Sequence, residues 1–254
     1  MAKPLVSVIV PLFNYSNYIG YCIQSIINQT FVDFELIVVD DCSTDNSYKI
    51  VKKFAKKDKR IKVIKLDKNY GYSKAKNEGI IISKGKYITT LDADDMFTKN
   101  SVKIRLNAMT KHKVDFIYAN AFFVKNNIDL NKCYKHNSHK INKSINLYEI
   151  HAQSVMMDRK VHVKYGLYDE SLRSRSDREM WWRLFGKDSS EKSKISSYYL
   201  NDQVAYYRFH RQSMWRKRKR NPKLDKEIIN MSKKAYKMRK KEGITKENTI
   251  FLEE

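Results

Sequence analysis

Apolar residues along the first hundred positions follow two alternating rhythms. Val6-Ser7-Val8-Ile9-Val10 is a β-branched run closed by Pro11, and it predicts a buried strand. Ile19, Cys22, Ile23, Ile26 and Ile27 then recur at i, i+3, i+4, i+7 and i+8, one face of an amphipathic helix with Asn17 as its N-cap. Phe34 to Val39 predicts a second strand ending at Asp40-Asp41, and Thr44 or Asp45 caps a helix reaching Lys57. Ile61 to Leu66 predicts a third strand, Ser73 to Ser83 a helix, and Tyr87 to Leu91 a fourth strand ending at Asp92. Strands alternating with helices predict βαβ units: an α/β chain with a Rossmann-like, mostly parallel sheet flanked by helices. Polar residues gather at the C-terminal strand ends, where open α/β sheets bind ligands.

The pattern is weaker beyond Lys113. It predicts strands over Val114 to Val124, Gln153 to Met157 and Val204 to Arg208, and a helix over Asp177 to Phe185. Lys125 to Asn146 reads as a polar excursion, a candidate acceptor lid. The expected organisation is one domain over 1–215, in two halves, 1–100 and 101–215. A basic helical C-terminal extension with few core positions follows over 216–254.

Composition narrows the class. With 254 residues, 42% of them hydrophobic, the chain can bury a sizeable core, and only 7 Gly and 3 Pro argue against an all-β fold of many tight turns. Three cysteines, Cys22, Cys42 and Cys133, make no disulfide framework and point to a reducing compartment. The N-terminal apolar run is too short for a signal segment, and no run approaches the ~20 apolar residues that span a bilayer. The expectation is a cytoplasmic protein, at most peripheral at a membrane surface. The net charge of +23 fits an anionic partner, yet Lys is scattered and fits compositional bias equally. The clustered run Arg216-Lys217-Arg218-Lys219-Arg220 is a candidate contact for anionic lipid or nucleic acid, or else a solvated helix start.

Three acidic segments carry candidate chemistry. Asp92-Ala93-Asp94-Asp95 puts three carboxylates at the end of a buried strand, either a site for a hard divalent cation or a solvated acidic turn. Asp40-Asp41 ends another strand and can accept hydrogen bonds from a nucleoside, or simply precede a capped helix. Asp177 stands at a helix start beside Trp181 and Trp182, as a general base near a sugar-stacking surface or as a first-turn acid beside core tryptophans. Cys133, His136 and His139 have zinc-like spacing but no evident fourth ligand, which favours a solvated loop.

Taken in order, these stretches resemble the GT-A-fold family 2 glycosyltransferases, an inverting group. The resemblance rests on Val6-Ser7-Val8-Ile9-Val10-Pro11-Leu12-Phe13-Asn14, Ser25-Ile26-Ile27-Asn28-Gln29-Thr30-Phe31, Phe34 to Asp41, Ser43-Thr44-Asp45, Asn69-Tyr70-Gly71, Ala75-Lys76-Asn77-Glu78-Gly79 and Gly85 to Asp95. Looser matches follow at Gly166 to Leu172, around Asp177 and at Tyr207-Arg208-Phe209-His210. The resemblance implies Pro11 and Asn14 as walls of a nucleotide pocket, Asp41 on the base ring and Asp40 in support. It implies Asp92 and Asp94 as the Asp-x-Asp motif, with Asp94 the direct ligand of Mn²⁺ or Mg²⁺. Asp95 would lie near the donor sugar, Lys76 near a phosphate, His210 near the metal or diphosphate, and Asp177 would be the catalytic base. The implied partners are a nucleotide-sugar donor, UDP favoured, and a glycan or lipid-linked acceptor. Three positions depart from the family: Lys76 where Arg is usual, Cys42 where Gly is usual, and Ser176 where an acid is frequent.

Other classes fit less well. A nucleic-acid-binding protein leaves the acidic strand ends unexplained and lacks a recognisable module. A sugar nucleotidyltransferase needs a Gly-rich basic loop where Leu12-Phe13-Asn14-Tyr15 stands, and retention of Asp94 and Asp177 argues against an inactive relative.

Overall fold

The structure is a computed structural model that describes residues 3–125, 133–136, 150–172, 175–186, 192–210, 213 and 221–242. Most of the 125–146 excursion, His139 and the Arg216–Arg220 run lie outside the described residues.

In chain order the elements are β1 (Val6–Leu12), α1 (Ile19–Ile27), β2 (Phe34–Asp40), α2 (Ser47–Lys57), β3 (Ile61–Lys65), α3 (Tyr72–Ile82) and β4 (Tyr87–Thr90). They continue with β5 (Met96–Phe97), α4 (Ser101–His112), β6 (Phe116–Lys125), β7 (Tyr134–His136), a 3₁₀ turn (Ala152–Ser154) and β8 (Met156–Asp158). The last are α5 (Arg159–Tyr165), α6 (Ser176–Phe185), β9 (Ser197–Phe209) and α7 (Pro222–Glu242). One sheet runs β3-β2-β1-β4-β8-β6-β9-β5, with β7 on β6. Strands β3, β2, β1 and β4 are mutually parallel, as the alternation predicts.

Strand β1 is central because both faces are apolar. Val6, Val8, Val10 and Leu12 pack with Ile19, Cys22, Ile23 and Ile26 of α1, while Ile9 packs with Ile80 of α3 on the other face. Each of these buried branched side chains contributes about 2 kcal/mol. The strand continues through Pro11, where the sequence pattern closed it. Pro11 pairs in register with Val39, whereas the β4 register ends at Ile9↔Thr90. Leu12 O accepts from Asp41 N on the β2 side, so alternation turns the Pro11 nitrogen toward the β4 side, past the last pair.

Helix starts differ from the expected caps. Helix α1 begins after Tyr18 rather than Asn17, because Tyr18 N and Ile19 N both donate to Tyr15 O at 2.9 Å. Helix α2 begins after Asn46, and Asp45 Oδ1 still accepts Ser47 N at 2.8 Å. Trp181 and Trp182 are core residues packed with Phe116, Met180 and Leu184. Helix α7 has more core contact than its sequence suggests. Ala235 and Tyr236 are buried, with Tyr236 at 6.0 Å ring separation from Trp182.

Candidate active site

Strand order 3-2-1-4 reverses direction at β1, so α1, which leaves β1, and α3, which leads into β4, pack on opposite faces. A crevice opens beyond the C-terminal ends of β1 and β4, the position where doubly wound sheets hold ligands. A cleft of about 580 Å³ lies there. Pro11 and Asn14 line it from β1, Asp41 from β2, and Asp92 and Asp94 from β4.

The cleft's first wall is built by polar cross-links between strand ends. Asn14 sits at φ 57, a left-handed conformation that Asn tolerates. Its Oδ1 accepts Thr44 N at 2.8 Å and Asp45 N at 3.3 Å, tying the end of β1 to the loop after β2. Asp41 accepts Tyr70 N at 2.7 Å and Gly71 N at 2.8 Å, which draws the loop before α3 into the cleft. Between them Cys42 holds φ 61, a left-handed backbone shape that Gly adopts without strain. Asp40 is fully buried beneath, accepting Ser43 N at 3.3 Å; burial pushes its carboxyl up.

The second wall is acidic. Ligand oxygens of Asp92, Asp94 and Asp95 lie within 4.8 Å of one another. Asp92 Oδ1 accepts Tyr72 OH at 2.6 Å, and Asp95 Oδ1 accepts Arg208 N at 2.8 Å. Gln153 Nε2 donates to Asp95 Oδ2 and lies 3.5 Å from Asp92 Oδ2. His210 Nε2 stands 2.8 Å from Asp94 Oδ2, with its ring against Tyr18. Burial, then the Asp94 charge, pushes Asp92 up to about 7, and the same causes push Asp95 well above the usual carboxylate range. Three carboxylates this close cannot all ionise unaided, so the donor set fits a hard divalent cation, which would restore their charge.

Asp177, at the start of α6, is not part of the cleft lining and connects to it through Lys76. Its Oδ1 lies 2.5 Å from Lys76 Nζ; the lysine side chain is 0% exposed and the aspartate 25% exposed. The ammonium sits 3.6 Å from the Tyr168 ring centre and 5.0 Å from that of Tyr72. Burial pulls the ammonium down, but Asp177, Tyr168 and Asp92 outweigh it and its pKa is raised. The anionic partner of Lys76 is thus Asp177, and Lys76 is not among the residues lining the cleft. Asp40, Asp95 and His210 likewise stand behind the lining rather than in it.

The sequence pattern missed the supports. Arg105, fully buried, donates to Thr89 Oγ1 at 2.7 Å, Val155 O at 3.0 Å and Ser101 Oγ at 2.8 Å, and reaches Gln153 O at 3.4 Å. It therefore anchors the turn from which Gln153 reaches the carboxylates. Lone Arg and Gln residues carry no spacing signal, so only the spatial contacts reveal them. Tyr72, which joins Asp92 to the Lys76 cage, was equally silent.

This arrangement defines the GT-A class. The fold matches that of TarS from S. aureus, solved with UDP-GlcNAc, with a TM-score of 0.67 and 23% identity over 84% of this chain and 60% of that structure. It also matches the mannosyltransferase PcManGT from Pyrobaculum calidifontis, solved with GDP-Man and Mn²⁺, with a TM-score of 0.63 and 16% identity over 84% and 59%. The glycosyl transferase family 2 profile matches residues 7–166, and the chain belongs to that family. TuaG of Bacillus subtilis, a glycosyltransferase provisionally assigned to teichuronic acid biosynthesis, is 30% identical over 81% of this chain and 79% of its own length. WfgD of Escherichia coli, a UDP-Glc:alpha-D-GlcNAc-diphosphoundecaprenol beta-1,3-glucosyltransferase, is 32% identical over 61% and 60%. Glycosyltransferase GlyG of Streptococcus pneumoniae is 36% identical over 46% of this chain, which spans 39% of that relative's length.

Proposed function

We propose that the protein is a metal-assisted, inverting glycosyltransferase. It moves a sugar from a nucleotide-diphosphate donor, a UDP-sugar, to an acceptor hydroxyl on a glycan or lipid-linked glycan. The observation that carries this reading is one cleft lined by Asn14, Asp41, Asp92 and Asp94, with Asp177 linked to it through the Lys76–Tyr72–Asp92 chain. The donor named for the Escherichia coli relative and the UDP-GlcNAc held by TarS support the nucleotide.

Pro11 and Asn14 wall the nucleoside, and Asp41 keeps a second lone pair on each oxygen for base N–H groups. Asp94 and Asp92 would hold Mn²⁺ or Mg²⁺, with His210 beside Asp94. When bound, the ion neutralises negative charge on the departing diphosphate. Asp95, held by Gln153 and Arg208 behind the lining, supports the acidic wall beneath the donor sugar. Asp177 accepts the proton of the acceptor hydroxyl as its oxygen bonds to the anomeric carbon. The old carbon–oxygen bond breaks at the same time, and its electron pair leaves with the diphosphate, which inverts the configuration. Lys76 orients Asp177 by their short ion pair. Residues 1–100 form the donor half and 101–215 the acceptor half, with 216–254 as a basic extension.

Thermal shifts test the reading. UDP with Mn²⁺ at ~100 times its dissociation constant adds about 2.7 kcal/mol, a shift of about 5–11 °C for a chain of this size. Asp94→Ala is expected to abolish that shift. Asp177→Asn is expected to keep it while losing roughly 10²–10⁴ in transfer rate. No response to UDP, GDP, CMP or dTDP, with or without Mn²⁺, would refute the donor site.

A further inference from the structure

We infer that the outer face of α7 is a docking surface for an anionic lipid bilayer. This goes beyond the transfer reaction and stands apart from it. The inner side of α7 buries Ser232, Ala235 and Tyr236, the last against Trp182 of α6. Rotation of about 100° per residue places the opposite side at Lys223, Lys226, Lys233, Lys234 and Lys237, all exposed. Met231 and Met238, at 50% and 47% exposure, stand on the flank of that side next to Lys234. Met231, Lys234 and Met238 are three and four residues apart, so they form one stripe. Among the described side chains of α7, Glu227 is the one exposed acid.

Charge and apolarity together select the partner. Five exposed lysines complement a negative surface. Two large thioether side chains held in water gain only where they enter an apolar layer. Lysine stems can lie along that layer while their ammonium groups reach lipid phosphates. A nucleic acid would use the charge but not the methionines, since its bases stack on aromatic rings, and the one described tyrosine of α7 is buried. Because α7 lies on α6, docking would bring the helix that carries Asp177 to the bilayer surface.

Flotation of the full chain tests this, using phosphatidylcholine vesicles with and without phosphatidylglycerol. Binding is expected only with phosphatidylglycerol, and it should weaken as salt rises. Each Lys→Gln change at 223, 226, 233, 234 or 237 should lower affinity about fivefold. The pair Met231→Ser and Met238→Ser should lower it about tenfold or more. These positions are exposed, so circular dichroism and the UDP/Mn²⁺ thermal shift should stay at wild type. That separates failure of the surface from failure of the active-site reading. The inference is overturned if phosphatidylglycerol vesicles do not bind. It is equally overturned if the methionine pair has no effect, or if poly(U) displaces the vesicles and binds with the same lysine dependence.

Discussion

His162 should make stability fall steeply below neutral pH. Its ring is 1% exposed, packs 5.8 Å from Tyr168, and neither ring nitrogen has a hydrogen-bond partner. Burial outweighs the nearby Gly166 backbone, which raises the pKa, and the cations Arg183, Lys76 and Arg159 add to burial, so it falls to about 3 from 6.5. The folded state therefore keeps His162 neutral while the unfolded chain takes a proton below pH 6.5. Full stability is present above pH 6.5 and is lost progressively as pH falls toward 3. The loss is about 1.4 kcal/mol per pH unit, or about 2 kcal/mol between pH 7 and pH 5. Urea unfolding at both pH values, compared between wild type and His162→Phe, isolates this residue, because every other titrating group is common to both proteins. The wild type should lose about 2 kcal/mol more than the variant over that interval. Equal losses, or a His162 resonance titrating near 6.5 in the folded protein, would refute the reasoning.

Two backbone predictions follow from local geometry. A Cβ at Gly85 would lie 2.5 Å from Ser7 N and 2.8 Å from Val6 C, both backbone atoms of the central strand, and would strain the Gly85 N to Ser7 Oγ hydrogen bond. Gly85→Ala is expected to cost about 1–3 kcal/mol in urea unfolding, and a change within about 0.5 kcal/mol would contradict the packing argument. Cys42 holds its left-handed φ of 61 at a cost of about 1–2 kcal/mol, partly offset in Gly by unfolded-state entropy. Cys42→Gly should raise the melting temperature by a few degrees, and a lower melting temperature would show that the Sγ contact to Asp67 O outweighs the strain.

The amino-acid order determined the parallel half of the fold because each element there announces itself. β-Branched runs sit beside helical stripes, and carboxylates mark the strand ends. The cleft-lining residues Asn14, Asp41, Asp92 and Asp94 were legible for the same reason, since a strand end places its next residues in the crevice. Between Asp95 and Lys113 the pattern failed. Helix α4 buries Val102, Leu106 and Met109, but Arg105 occupies the middle of that stripe and breaks the apolar rhythm. Its guanidinium is tolerated there because carbonyl and hydroxyl groups from three separate segments converge on it, an arrangement no local window contains. Tertiary structure alone also decided that Lys76, one hundred and one positions before Asp177, is its ion partner rather than a group lining the cleft. Periodicity records which face of an element is buried. Which polar group meets which inside that buried space depends on how distant elements close together, and a one-dimensional pattern does not carry that.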